Sequence, residues 1–143
     1  MGVILDTCIW VEVERGTLAP ADVMRVTGDL PVFLTPPVLA ELEYGIYRAK
    51  TDDQRIRRMN AMMRIRRKPC LIMDRATAEI YGRLAGMLDN AGKPTTYRTH
   101  DVWIAALAIQ HNHAVLTHNI KDFEGIPGLR LLRFPERQRR YTL

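Results

Sequence analysis

Short apolar runs alternate with amphipathic stretches along the 143-residue chain. Val3-Ile4-Leu5 is unbroken by any polar residue, as suits a strand covered on both faces of a parallel sheet. The same reading places a second strand at Val32–Thr35, a third at Cys70–Met73, a fourth at Ala114–Thr117 and a short fifth at Leu129–Leu132. Helical spacing fills the gaps. Helices are expected from Thr7 to about Arg15, from Pro20 through Val26, and from Pro36 through Ile46. Another begins at Thr51-Asp52-Asp53-Gln54, with Ile56, Met59, Met62 and Met63 as its apolar stripe. A further helix starts at Asp74 and carries Ala78, Tyr81, Leu84, Ala85 and Leu88. Val102–Ile109 is apolar all round, so it should be buried. Strands alternating with helices predict an α/β fold: a parallel sheet of four to five strands with helices on both faces, forming three layers.

Composition narrows the class. At 47% apolar and 26% charged residues, the chain has the make-up of a soluble globular protein. No apolar run approaches the ~20 residues a membrane helix needs, and no basic segment precedes the first strand, so a cytoplasmic location is expected. Cys8 and Cys70 lack a CxxC partner, which argues against a zinc or disulfide framework; Cys70 reads as a small buried side chain. Lys and Arg exceed Asp and Glu by 21 − 16 = 5, favouring a polyanionic partner.

The acidic residues fall at one edge of this layout. Asp6 follows the first strand, and Glu41 lies in the second turn of the helix after the second strand. Asp101 opens the buried helix, while Asn119 and Asp122 follow the fourth strand. An isolated Asp6 would be read as a helix cap. Several acids at the carboxyl edge of a parallel sheet instead suggest a site. Clustered carboxylates repel, and a divalent cation with a preference for hard oxygen ligands, Mg²⁺ or Mn²⁺, removes the conflict. Such a centre activates water and stabilises charge on a phosphodiester.

Five stretches carry a family resemblance: Leu5–Trp10, Glu41–Gly45, His100–Ala106, Leu116–Phe123 and Ile126–Leu129. In this order and spacing the chain resembles the PIN-domain nucleases, and among them the VapC-type toxins of toxin–antitoxin pairs. The resemblance implies a PIN-like, Rossmann-like fold over residues 1–133, followed by a basic tail at 134–143. It implies a Mg²⁺- or Mn²⁺-dependent endoribonuclease that cuts structured RNA, tRNA or rRNA. Asp6, Glu41 and Asp101 are the implied catalytic and metal-binding acids. Asp122 is taken as the fourth, with Asn119 competing for that place. Thr7, Thr117 and Asn119 are assigned supporting contacts. A homodimer and a cognate VapB-type antitoxin are the implied partners. His100 stands where many members carry Asn, and Cys8 receives no catalytic role.

Other readings compete. Arg55, Arg57, Arg58, Arg64, Arg66 and Arg67 suit either RNA contact or a solvated face. A haloacid-dehalogenase-like phosphatase needs a second acid where Cys8 stands, and a receiver domain needs paired acids near the first strand. A PIN-fold RNA-processing nuclease without a toxin role, or a non-catalytic RNA-binding module, remains the alternative.

Overall fold

The computed structural model describes residues 1–93 and 99–135. Four parallel strands form the sheet in the spatial order β2-β1-β3-β4: β1 (Val3–Leu5), β2 (Val32–Phe33), β3 (Ala114–Leu116) and β4 (Arg130–Leu132). Helices surround it: α1 (Thr7–Arg15), α2 (Pro20–Thr27), α3 (Pro36–Tyr47), α4 (Asp52–Ile65), α5 (Arg75–Asn90), α6 (Thr99–Gln110) and α7 (Ile120–Phe123). The chain moves from β1 outward to β2 on one side, then crosses to β3 and β4 on the other. Strand order therefore reverses between β1 and β3, where open α/β sheets form a crevice.

The core follows the apolar runs. Every residue of β1 and β3 is buried, as are Val102 and Ile104 through Ala108 of α6. Trp10 is buried with its indole N–H donating to the Leu5 carbonyl at 3.1 Å, and Trp103 stacks on Tyr81 of α5. Helix starts are set by side-chain caps. Thr35, Thr51 and Asp74 each accept a hydrogen bond from a first-turn N–H, and Asp74 forms a reciprocal capping box with Thr77.

Two sequence expectations need correction. Residues 70–73 do not form a strand: only Cys70 bridges in parallel to Leu34. The neighbouring β2 is two residues long, and Thr35 leaves the ladder to cap α3, so nothing extends the pairing. Cys70 is accordingly exposed rather than buried, and Ile72 is 75% exposed. The apolar stripe of α4, by contrast, suits either core or partner contacts and divides between them. Met62 and Ile65 are buried, whereas Ile56, Met59 and Met63 remain exposed, as do Tyr44 and Tyr47 of α3. The basic tail lies outside the described residues from 136 onward. Among the described residues, no helix is long and apolar enough to cross a membrane.

Candidate active site

Leu5 and Leu116 are register partners in β1 and β3, so the next residues, Asp6 and Thr117, leave the sheet side by side at the crevice. The Asp6 N–H completes the pairing by donating to the Leu116 carbonyl at 3.0 Å. Asp6 is 5% exposed, and its carboxylate caps α1, accepting from the Thr7 N–H at 2.8 Å. The Thr117 hydroxyl donates to Asp6 Oδ2 at 2.7 Å and accepts from the Asn119 N–H at 3.0 Å. One threonine thus ties the post-β3 loop to the buried acid.

Glu41 reaches the same edge from α3. The Thr7 hydroxyl donates to Glu41 Oε2 at 2.5 Å, so Asp6 and Glu41 are joined through one residue. The same oxygen lies 2.9 Å from His100 Nε2, an ion-pair contact oblique to the ring N–H direction. His100 and Asp101 sit in the first turn of α6, which starts at Thr99; Asp101 is therefore inside the helix and not its N-cap. Asp101 is half-buried and its charge acts on His100. Asn119 occupies the N-cap position of α7 without a side-chain capping bond, and Asp122 is half-buried one turn further along.

The electrostatics are those of crowded acids. Burial pushes the Asp6 carboxyl above its usual value; Thr117 and the Thr7 N–H oppose that shift, and the Glu41 charge adds to it. The His100 imidazole holds Glu41 below the usual range, with help from Thr7. His100 is raised in return, by Glu41 first and then by the charges of Asp101 and Asp6. His100 is the partner that sequence reasoning undervalued. Its signal was its place beside Asp101 in the first turn of an otherwise apolar helix. Cys8 Sγ approaches Asp6 Oδ2 and Thr117 Oγ1 at 3.8 Å, and burial pushes its thiol up, which disfavours a thiolate role.

The donor chemistry suits a hard divalent cation. A desolvated Asp6 carboxylate, with Glu41 near enough to raise its pKa, gains most from a neighbouring positive charge. Among the described residues, no three acidic, histidine or cysteine side chains already stand together as a finished cage. Glu41 is held by Thr7 and His100.

Thr117→Val should lower metal-free stability at pH 7 by about 1.5–3 kcal/mol, the scale of a hydrogen bond to a charged group. It should also raise the Asp6 pKa further, since the lost hydroxyl opposes that rise. Denaturant melts and a carboxyl NMR titration read the two effects.

The PIN domain model matches residues 3–129. Ribonuclease VapC1 of Rickettsia felis is 33% identical over 132 residues, covering 92% of this chain and 96% of the relative. Ribonuclease VapC of Rickettsia bellii is also 33% identical, over 94% of this chain and 98% of the relative. Among solved structures, VapBC2 from Rickettsia felis bound to a DNA fragment from their promoter aligns with a TM-score of 0.78 at 26% identity, covering 94% of this chain and 100% of that one. VapBC-5 from Mycobacterium tuberculosis aligns with a TM-score of 0.73 at 26% identity, covering 93% and 99%. With a match across nearly the whole chain, and with its acids at the sheet's switch point, the protein belongs to the PIN-domain family, in its VapC branch.

Proposed function

We propose that the chain is a divalent-metal-dependent endoribonuclease and the toxin of a VapBC-type toxin–antitoxin pair, acting in the cytoplasm on structured RNA, tRNA or rRNA. The observation that supports the chemistry best is the desolvated Asp6 carboxylate, joined through Thr7 to Glu41 at the β1–β3 crevice. Asp6, Glu41, Asp101 and Asp122 would hold Mg²⁺ or Mn²⁺. When bound, that ion supplies an activated water and charge stabilisation at the scissile phosphate. The chain's own contribution is orientation. Thr117 fixes Asp6, and Thr7 bridges the first two acids and aims Glu41. His100 keeps Glu41 ionised. The net charge of +5 favours approach of a polyanion.

Partners follow from the relatives and from the surface. The VapBC2 and VapBC-5 neighbours are complexes with an antitoxin. Here Tyr44, Tyr47, Ile56, Met59 and Met63 expose apolar area on the adjoining helices α3 and α4, which suits coverage by another chain, a homodimer mate or the antitoxin. An antitoxin arginine could pair bidentately with the site acids, where His100 Nε2 already lies against Glu41.

The test is cleavage of total RNA by the pure protein with Mg²⁺, Mn²⁺ or EDTA, with sequencing of the new ends. Metal-dependent cuts concentrated in tRNA or rRNA, suppressed by the product of the neighbouring gene, are expected. Cleavage that the neighbouring product neither binds nor inhibits would leave a PIN-fold RNA-processing nuclease.

A further inference from the structure

A second concavity opens beside the acids and none of their chemistry uses it. It encloses about 670 Å³ and is walled by Glu12 of α1, Leu18 in the following turn, Asp22 and Arg25 of α2, His118, and Phe134 beyond β4. Its volume lies within the roughly 300–1,000 Å³ typical of small-ligand sites. We propose that this cleft is a nucleobase subsite, which holds an unpaired base of the RNA within a few nucleotides of the scissile bond. The proposal rests on the ribonuclease reading and adds what the enzyme grips.

Position supports it first. His118 directly follows Thr117, whose hydroxyl holds Asp6, so one loop borders both the acid and the cleft. Glu12 is six residues along α1 from Asp6, about 9 Å at 1.5 Å per residue. Neighbouring phosphates of a helical strand are about 3.4 Å apart along the axis, so two to three nucleotides span that distance.

Chemistry supports it next. The His118 and Phe134 rings stack with centroids 4.9 Å apart and planes 24° apart, forming an aromatic wall continued by Leu18. Such a wall suits the face of a base. Two carboxylates provide acceptors at the rim, and each has a nitrogen partner. His118 Nε2 lies 2.6 Å from Glu12, and Arg25 lies 2.6 Å from Asp22. Arg25 offsets the Asp22 charge, so an approaching phosphate meets less bare anionic surface. Among the described residues that wall the cleft there is no row of unpaired cations such as backbone binding requires. A carboxylate accepts two parallel N–H donors, and the Watson–Crick edge of guanine offers two. Guanine is therefore the base of choice.

The test uses the full chain with Mg²⁺ or Mn²⁺, on an oligoribonucleotide carrying the site most frequently cut in total RNA. Wild-type protein should show guanine enriched within three nucleotides of the cut. Phe134→Ala should raise KM roughly five- to 150-fold, the loss expected for one stacked base, with kcat within about twofold. Phe134→Trp should restore KM, which a folding defect would not do. Glu12→Gln should flatten the guanine preference. In the metal-free protein, guanosine 5′-monophosphate should shift the NMR signals of His118 and Phe134 more than uridine 5′-monophosphate does. A Phe134→Ala protein that cuts with unchanged KM and unchanged end preference would overturn the subsite and leave the ribonuclease standing. So would one that loses antitoxin affinity alone. Failure of the wild-type protein to cut any RNA would instead overturn the ribonuclease reading, and the subsite with it.

Discussion

Asp6→Asn should abolish RNA cleavage, by at least about 100-fold, the scale on which single charge-stabilising groups act, while leaving the metal-free protein as stable as wild type at neutral pH or more so. Loss of activity alone would follow from many lesions. The stability arm separates them. Burial raises the Asp6 pKa above 3.8, so the folded chain holds this proton more tightly than the unfolded chain does. Stability contributed by the protonated acid is present at low pH and is lost as pH rises from 3.8 through the folded value. Above that window the ionised carboxylate is a standing cost, which a bound cation would relieve. Asparagine carries no such charge; its one oxygen can accept from the Thr7 N–H as Asp6 Oδ1 does, and its amide N–H can donate to the Thr117 hydroxyl in place of the bond that Oδ2 accepts. The melting temperature of Asp6→Asn relative to metal-free wild type should therefore climb between pH 4 and pH 7. Glu41 has the opposite sign: its pKa lies below 4.5, so its contribution is present at neutral pH and fades as pH falls. Glu41→Gln should accordingly not gain stability at pH 7. Melts in EDTA across that pH range check both.

Leu107→Ala should cost about 2–5 kcal/mol, the largest stability effect expected here. Leu107 is fully buried in α6, a helix without a solvated apolar face to relax into. At some 4 °C per kcal/mol for a chain of this size, the melting temperature should fall by roughly 8–20 °C. Met63→Ala removes comparable apolar bulk from a side chain that is 67% exposed, and should stay within about 0.5 kcal/mol. A loss at Met63 equal to that at Leu107 would mean that the α4 surface is already covered in solution, as a homodimer would cover it. Calorimetry across a range of protein concentrations distinguishes the two cases.

The parts of the fold legible in the sequence were those where one physical demand dominates. Val3-Ile4-Leu5 and Ala114-Val115-Leu116 have only apolar side chains to offer, so a strand buried on both faces is their one economical state. Thr51 and Asp74 announced their helices because a capping oxygen three residues before an N–H is a local signal. Residues 70–73 misled because a short apolar run says nothing about whether a neighbouring strand is long enough to pair with it; β2 was not. For the α4 methionines, periodicity marks a face as apolar without revealing whether this chain or another covers it. In the site, Asp6 was legible from its place after β1, and the link from Thr117 follows from the β1–β3 register. The Glu41–His100 contact joins α3 to α6 across 58 intervening positions, and no local pattern encodes it. The cleft is walled by segments from both ends of the chain, so it too emerges only in three dimensions.

If Asp6, Glu41 and Asp101 together hold the ion at which RNA is cut, anomalous diffraction from crystals soaked in Mn²⁺ will locate it there. Manganese bound by Asp6 with Glu41 or Asp101, accompanied by release of Glu41 from His100 and missing from Asp6→Asn crystals, is the expected result. Protein that cuts RNA in Mn²⁺ while its crystals place the ion away from Asp6, or place it identically in Asp6→Asn, would contradict the claim.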